Sequence, residues 1–270
     1  MFYTMAMRLT IALILFFPET LALLSSGAIF PLYIYPGDDC SAWTTVIGSI
    51  QACSTVPFYI VVNPASGPGA SGTQPDTNYQ ACIARLRTTA SAHGNNLKIL
   101  GYVATGFGSR ASTAVTADID TYNQWATSYR PDGIFFDEVA TATSFLPTYQ
   151  AYSTKVHQDF GTSFIILNPG TTPQTSGYFN IADFIVTFEG FYNDFSQSAL
   201  TISADRPAHK QVVILHDGPA QISFTLVDQL AEIIGVGASF ITNFPNAVAY
   251  ENVPGQWLTF CGDLISAQTA

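Results

Sequence analysis

Short apolar runs alternate along this chain with longer segments whose apolar residues recur about every three or four positions. Apolar runs of about four to eight residues are typical of buried strands, and the longer periodic segments are typical of amphipathic helices. The pattern predicts strands at residues 29–35, 57–62, 97–103, 133–138, 163–167, 183–188, 211–215 and 238–242, and helices at residues 41–52, 78–92, 114–129, 148–160, 224–234 and 257–265.

Strands that alternate with helices predict a parallel sheet covered by helices. Eight such units in a chain of 270 residues fit a closed (β/α)8 barrel, or TIM barrel, whose usual length is about 250 residues. An open doubly wound sheet is the alternative, but no Gly-x-Gly-x-x-Gly segment follows the first predicted strand and no phosphate-loop lysine occurs. We therefore expect an α/β fold, a single (β/α)8 barrel over residues 27–270.

The first 26 residues follow a different pattern. Arg8 precedes a mostly apolar run at residues 9–17, and the small residues Ser25 and Ser26 come later. This order is typical of a secretory signal peptide, and the run is far shorter than the roughly 20 residues that a membrane span requires. The sequence predicts a signal peptide at residues 1–26 that is removed, no membrane span, and a protein that is secreted, extracellular or associated with the cell surface.

The composition indicates a large core and an acidic surface. Hydrophobic residues make up 48% of the chain, charged residues only 10%, and the net charge is −10. Removal of residues 1–26 leaves the charge at −10, because that segment holds one Arg and one Glu. Binding to nucleic acid depends on Lys and Arg at the phosphates, so we expect no nucleic-acid partner. A neutral or cationic polymer fits this charge.

Four cysteines in a chain expected to be secreted suggest two disulfides. Their spacing fits no zinc site. Cys40 and Cys53 flank one predicted helix, which would hold them roughly 19 Å apart, too far for a disulfide. Two pairings stay open: Cys40 with Cys82 and Cys53 with Cys261, or Cys40 with Cys261 and Cys53 with Cys82.

Carboxylates stand at the ends of two predicted strands. Asp137 and Glu138 end the fourth strand, and Glu189 follows the sixth. An unpaired carboxylate costs several kcal/mol in a dry interior, so these side chains should face a cavity. The active site of a (β/α)8 barrel lies at the C-terminal ends of its strands. Two carboxyl groups about 5–9 Å apart would suit glycoside hydrolysis, and this range includes both the retaining and the inverting geometry.

Side chains that suit a sugar lie near the same strand ends. Aromatic rings offer a flat apolar face with a polar edge, which matches a sugar ring. Asparagine can hydrogen-bond hydroxyl groups or orient carboxylates, although asparagine before proline is also ordinary turn chemistry, and most aromatic residues of a barrel belong to its core. The candidate substrate-binding residues are Tyr33, Tyr35, Asn63, Tyr102, Asn168, Phe191, Tyr192, His216 and Asn243.

The sequence lacks the motifs of other hydrolases and of metalloenzymes. The chain has no Gly-x-Ser-x-Gly segment, no His-Glu-x-x-His segment and no cysteine that resembles a nucleophile. His216 and Asp217 follow each other at the end of the seventh predicted strand. Without another histidine at the mouth of the barrel, we interpret His216 as a hydrogen-bonded structural residue rather than a base or a metal ligand. We expect no metal site and no cofactor.

Three motifs in order resemble one known family. They are Asn-Pro-Ala-Ser-Gly-Pro-Gly at residues 63–69, Gly-Tyr-Val-Ala-Thr-Gly at residues 101–106 and Gly-Ile-Phe-Phe-Asp-Glu at residues 133–138. At this spacing the chain resembles the spherulation-specific, or spherulin-4-like, cell-surface proteins of fungi and slime moulds, over about residues 29–265. The resemblance implies a (β/α)8 glycoside hydrolase that cleaves galactosaminogalactan, an α-1,4-linked exopolysaccharide of galactose and N-acetylgalactosamine.

The resemblance also implies a role for each acid. Asp137 would be the nucleophile of a retaining mechanism and Glu189 the general acid/base. Glu138 would bind substrate or tune Asp137, and the roles of Asp137 and Glu138 could be exchanged. The implied partner is a polysaccharide substrate, and for a barrel of this size we expect a monomer.

Two other functions stay open. Many members of the family are known only as cell-surface or spore-coat proteins, so the barrel could be a non-catalytic carbohydrate-binding protein. The presence of all three acids favours the enzyme, because a binding protein needs no proton donor. A barrel hydrolase for another α-linked glycan would share the mechanism and differ in loops such as residues 65–76 and 191–207.

Overall fold

Eight parallel strands pair in sequence order and close into a barrel. The computed structural model describes residues 25–269, so the predicted signal peptide, apart from Ser25 and Ser26, lies outside the described residues. The strands are β1 (Gly27–Leu32), β2 (Phe58–Val62), β3 (Leu97–Ala104), β4 (Gly133–Asp137), β5 (Phe164–Leu167), β6 (Phe184–Phe191), β7 (Gln211–His216) and β8 (Ala238–Ile241).

The barrel closes where the first and last strands meet. Gly27 lies opposite Ala238 in a parallel ladder, and the Gly27 N–H donates to the Gly237 carbonyl at 2.9 Å. Strands β1, β7 and β8 are buried at every residue, because side chains fill the barrel on one face and helices cover the other. The predicted (β/α)8 barrel is confirmed, while the domain boundary at residue 26 stays a prediction.

The helices cover the outside of the barrel. They are α1 (Thr44–Ala52), α2 (Thr77–Ala92), α3 (Ser112–Asn123), α4 (Leu146–Phe160), α5 (Phe224–Asp228), which continues as a π-helix at Gln229–Ile234, and α6 (Trp257–Ala267). Within residues 25–269, no helix is long and apolar enough to cross a membrane. Helix α3 ends before the predicted residue 129 because Trp125 turns into the core, where its indole N–H donates to the Thr73 carbonyl at 3.1 Å.

The strict alternation of strands and α-helices fails after β5 and after β6. Loops and short 3-10 helices make these two connections. The 3-10 helices of the described chain are Asp38–Trp43, Gly106–Gly108, Thr143–Phe145, Ser176–Asn180, Tyr192–Asp194, Gln197–Ala199, Ala208–Lys210 and Asn246–Val248.

Three strands end earlier than predicted, and β8 does so by one residue, at Ile241. β1 ends at Leu32, because the Tyr33 N–H turns to the Pro31 and Tyr250 carbonyls instead of continuing the ladder. β4 ends at Asp137, because Glu138 has a left-handed backbone with φ 52°. Tyr33 and Glu138 therefore lie just beyond their strands, at the mouth of the barrel.

Strand β6 continues further than predicted and includes Glu189. Its pairing with β7 is irregular between Val186 and Phe188, and Glu189 then lies opposite Ile214. A bulge of this kind commonly changes the direction of a nearby side chain. Glu189 is thus held inside a paired strand and not on a loop.

Within residues 25–269 one disulfide forms, between Cys40 and Cys82, with their Cα atoms 5.4 Å apart. This pairing agrees with the exclusion of a Cys40–Cys53 bond. It contradicts the alternative in which Cys40 pairs with Cys261. The expected second disulfide is not formed, and Cys53 and Cys261 are buried free thiols. Their side chains are hydrogen-bonded to each other.

Candidate active site

A pocket of about 290 Å³ opens at the carboxyl ends of the strands, the end of a (β/α)8 barrel that carries the active site. Each strand from β3 to β8, or the connection that follows it, contributes to its wall. The three predicted carboxylates lie together here, with two of the predicted substrate-binding residues. The lining residues are Phe107, Asp137, Glu138, Asn168, Pro169, Gly170, Glu189, His216 and Asn246.

Asn168 joins two of the carboxylates. It follows β5, is buried, and its amide nitrogen donates to Asp137 Oδ1 at 2.8 Å and to Glu189 Oε2 at 2.7 Å. Its own Oδ1 accepts the Gly170 N–H at 3.0 Å, which sets the orientation of the amide. Because both bonds start from one nitrogen, the accepting oxygens lie no more than about 5.5 Å apart.

Three tyrosines surround the same two carboxylates. The Tyr102 hydroxyl is hydrogen-bonded to Asp137, and the Tyr250 hydroxyl donates to Glu189 Oε1. The Tyr33 ring packs edge-on between them, 5.3 Å from Tyr102 and 5.5 Å from Tyr250. Burial, followed by the charges of the nearby acids, raises the pKa of all three hydroxyls well above the ordinary value. They therefore stay protonated and can donate to the carboxylates.

Asp137 holds its proton more tightly than an ordinary carboxyl does. Burial raises its pKa from 3.8 to about 6, and the negative charge of Glu189 adds to the shift. Hydrogen bonds, including the one from Tyr102, act in the opposite direction. With a pKa of about 6, the carboxyl group of Asp137 is still mostly ionised at neutral pH.

The connection after β3 fixes the position of Glu138. The Thr105 hydroxyl donates to the Asp137 carbonyl at 2.9 Å and the Glu138 carbonyl at 2.7 Å, and the Gly106 N–H donates to Glu138 Oε2 at 3.2 Å. Glu138 has a backbone φ of 52°, which is uncommon for a residue with a long side chain. Backbone strain of this kind concentrates at functional sites.

His216 forms part of the opposite wall. It is only 4% exposed, and its Nδ1 lies 2.7 Å from Asp217 Oδ2. The same Asp217 oxygen accepts the Asn246 N–H at 3.0 Å. These bonds agree with the interpretation of His216 as a hydrogen-bonded structural residue, and they leave its ring at the surface of the pocket.

Two predicted asparagines stabilise loops outside the pocket lining. Asn63 Oδ1 accepts the Gly67 N–H at 2.8 Å, and Asn243 Oδ1 accepts the Gly255 N–H at 3.3 Å. The Asn63 contact is local and agrees with the turn chemistry expected of asparagine before proline, whereas the Asn243 contact joins residues 12 apart in the connection after β8. Contact of either residue with a longer ligand stays a prediction.

The remaining predicted aromatics do not line the pocket. Tyr35 is 53% exposed, and its hydroxyl accepts from Asn78 Nδ2 at 3.1 Å. Phe191 is also 53% exposed and packs edge-on against the His216 ring at 4.8 Å. Tyr192 is half-buried against the core. Their role in substrate binding likewise stays a prediction.

Sequence reasoning missed Tyr250, Phe107 and Asn246. Tyr250 lies on the connection after β8, well beyond the strand end, and only the folded path of that connection brings its hydroxyl to Glu189. Phe107 follows the Gly-Tyr-Val-Ala-Thr-Gly motif directly, so the motif itself was the available signal. Within residues 25–269, no three His, Cys, Asp or Glu side chains are grouped to hold a metal ion.

Comparison with known sequences places the chain in a family. The profile of Spherulation-specific family 4 matches residues 27–264. The chain belongs to this family. The resemblance found in the three motifs is thereby confirmed over almost the whole described barrel.

Two similar proteins extend this result. Spherulin-4 of Physarum polycephalum is 30% identical over 222 residues, which cover 79% of this chain and 62% of Spherulin-4, so the chain spans less than two thirds of that relative. The crystal structure of Aspergillus clavatus Sph3 in complex with GalNAc matches with a TM-score of 0.76 and 29% identity, covering 89% of this chain and 97% of Sph3.

A more distant structure shares the fold alone. The α-amylase of Geobacillus thermoleovorans, complexed with acarbose, matches with a TM-score of 0.54 and 10% identity over 91% of this chain and 79% of its own. At this identity the match supports the barrel architecture and carries nothing about substrate.

Proposed function

We propose that this chain is a secreted, endo-acting glycoside hydrolase that cleaves an α-1,4-linked exopolysaccharide containing galactosamine or N-acetylgalactosamine, namely galactosaminogalactan. The contact that carries the proposal is the double hydrogen bond from Asn168 to Asp137 and Glu189. It holds two acids across one small pocket, which is the arrangement that cleavage of a glycosidic bond requires.

The spacing of these acids supports a retaining mechanism. Carboxyl groups about 5–5.5 Å apart are typical of retaining glycosidases, whereas inverting enzymes separate them by about 6.5–9.5 Å to admit a water molecule. The limit of about 5.5 Å set by the Asn168 bonds falls in the first range.

In the proposed reaction Glu189 gives its proton to the glycosidic oxygen while Asp137 attacks the anomeric carbon. The leaving chain departs with a new hydroxyl group, and the other chain stays covalently bound to Asp137. Water then attacks this intermediate and gives its proton to Glu189, so the product has the original anomeric configuration and both acids are restored. A pKa of about 6 leaves Asp137 ionised at neutral pH, as a nucleophile requires.

Two observations support the proposed substrate. Sph3, a relative of similar length, was crystallised in complex with GalNAc. The pocket contains three carboxylates in a chain of net charge −10, which favours neutral or cationic sugars over acidic ones. Glu138 is free to bind a sugar hydroxyl or amino group through the oxygen that does not accept the Gly106 N–H.

Incubation with purified galactosaminogalactan is expected to release oligosaccharides, because the pocket joins both required acids. Mass spectrometry would follow the fragments, and α-1,4-glucan would serve as a comparison polymer that the enzyme should leave intact. A double variant, Asp137→Asn with Glu189→Gln, purified in the same way, controls for contaminating hydrolases.

The possible results of this incubation distinguish the proposed hydrolase from its two alternatives. Fragments from the wild type alone support the hydrolase. Binding of the polymer without fragments would favour the non-catalytic carbohydrate-binding protein. Cleavage of α-1,4-glucan in place of galactosaminogalactan would retain the mechanism and change the substrate.

A further inference from the structure

Phe107 lines the acidic pocket and is 63% exposed. An exposed aromatic side chain is ordinary by itself. Phe107 differs because its backbone is left-handed, with φ 52° and ψ 38°, a conformation that is uncommon for a bulky residue and costs free energy. The fold therefore holds a large apolar ring in water, in a strained conformation, at the edge of the candidate active site.

The loop around Phe107 requires this conformation. Gly106 and Gly108 also have positive φ, 58° and 82°, so three consecutive residues are left-handed. Glycine occupies the two flanking positions at little cost, but phenylalanine stands between them. A Cβ on Gly108 would overlap the Phe145 ring, which shows how closely the loop is packed.

The same loop is tied to the carboxylates. The Phe107 N–H donates to the Glu138 carbonyl at 2.6 Å, next to the Gly106 bond to the Glu138 side chain. The Thr105 hydroxyl, which bonds both the Asp137 and Glu138 carbonyls, also lies 3.0 Å from the Tyr149 hydroxyl in the core. The backbone that carries the ring is thus held at a fixed position relative to the acids, which favours a preorganised contact.

We propose that Phe107 is a binding platform on which a pyranose ring of the polysaccharide stacks, beside the sugar whose bond is cleaved. A pyranose ring presents an apolar face of C–H groups, which suits a flat aromatic ring, and the neighbouring carboxylates then accept from its hydroxyl or amino groups. The exposed Phe191 ring stands against His216 on another wall of the pocket. One ring in the pocket and a second ring beside its lining suit an internal stretch of a polymer, which needs contacts on both sides of the cleaved bond. The proposal rests on the proposed function.

Binding to a catalytically inactive enzyme tests the platform directly. In a Glu189→Gln background, adding Phe107→Ala is expected to raise the Kd for galactosaminogalactan fragments about tenfold, measured by calorimetry. Phe107→Tyr, which keeps the aromatic face, should bind within about twofold of the parent. Phe224→Ala is the matched control, because Phe224 is also exposed, at 44%, but does not line the pocket.

Thermal unfolding separates a binding platform from a structural residue. Phe107→Gly removes the backbone strain and an exposed ring. Its melting temperature should therefore be equal to that of the wild type or higher by up to about 4 °C. In the otherwise wild-type enzyme, Phe107→Ala should raise KM with little change in kcat, since the lost contact holds substrate and transition state equally.

Failure of the platform and failure of the proposed function give different results. If the Glu189→Gln parent binds the polymer and Phe107→Ala binds it equally well, the platform alone is refuted. A loss of melting temperature in Phe107→Gly would assign the ring a structural role and also refute it. If the folded parent does not bind galactosaminogalactan, the proposed function fails, and the platform fails with it.

Discussion

Replacing Glu189 with Ala is expected to lower kcat on galactosaminogalactan by about 10³-fold while leaving polymer binding in place, because a positioned general acid contributes about 10²–10⁴-fold. Asp137→Ala should lose at least as much, since removal of a nucleophile stops the first chemical step. Polymer hydrolysis alone shows a large loss for both variants. It therefore does not show which acid has which role.

Rescue by azide separates the two roles. The substrate would be an α-linked oligosaccharyl fluoride, whose leaving group needs no proton. In Glu189→Ala, Asp137 still forms the covalent intermediate and azide attacks it, so the product should be the α-azide. In Asp137→Ala, azide takes the place of the missing carboxylate and attacks the fluoride directly, which should give the β-azide. NMR spectroscopy distinguishes the two anomers.

Tyr250→Phe is a matched control, because it removes one hydrogen bond to Glu189 and keeps both carboxyl groups. Its activity should fall far less than that of either alanine variant, and azide should not restore it. Exchange of the two azide anomers between the alanine variants would assign Glu189 as the nucleophile and Asp137 as the acid. Full activity of either alanine variant would contradict the two-carboxylate mechanism.

The barrel could be predicted because its strands are buried on both faces. In such strands nearly every residue is apolar, as in β1, β7 and β8, so they stand out from the amphipathic helices between them. Strand boundaries could not all be predicted, because they depend on contacts between residues distant in sequence. β1 ends where Tyr33 bonds to Tyr250, and β6 extends through an irregular ladder with β7.

The three acids could be predicted because the active site of a (β/α)8 barrel lies at the C-terminal ends of its strands. Asp137, Glu138 and Glu189 interrupt apolar runs, and a buried carboxylate needs a cavity or a partner. Their partners could not all be found in this way. Asn168 also stands at a strand end, but Tyr250 reaches Glu189 from a long connection whose path no local pattern specifies.

The contacts of the aromatic residues could not be predicted from the sequence. A Tyr or Phe at a strand end can face a ligand, a loop or the core, and its residue type does not distinguish these. Tyr33 and Tyr102 pack around the acids, whereas Tyr35 bonds to Asn78 on the rim. Phe107 directly follows the Gly-Tyr-Val-Ala-Thr-Gly motif, but the backbone angles and the exposure that set it apart from a core residue are properties of the folded chain.

Replacing Asp137 with Asn is expected to stabilise the fold by about 3 kcal/mol at neutral pH. Burial and the charge of Glu189 raise the pKa of Asp137 from 3.8 to about 6, and a difference of this size corresponds to about 3 kcal/mol. An amide has no charge to desolvate. Its oxygen can still accept from Asn168, and its nitrogen can donate to the Tyr102 hydroxyl.

The stability gained by Asp137→Asn should increase with pH. Below about pH 4, Asp137 holds its proton in both the folded and the unfolded chain, and its contribution to stability is fully present. Between about pH 4 and 6 the unfolded chain loses this proton more readily than the folded protein does. The contribution is therefore lost as the pH rises through about 6, and the advantage of Asp137→Asn should grow over the same interval.

Thermal unfolding of the wild type and Asp137→Asn at about pH 4, 6 and 8 measures this difference. We expect nearly equal melting temperatures at the lowest pH and a gain of about 6–12 °C for the variant at the highest. Glu138→Gln is the control, because it removes a carboxylate from the same pocket, and a smaller gain is expected. An equal gain at every pH would contradict the proposed cost of ionising Asp137. A gain that follows the pH would show that the fold gives up stability to keep this carboxylate charged beside Glu189, as a nucleophile must be.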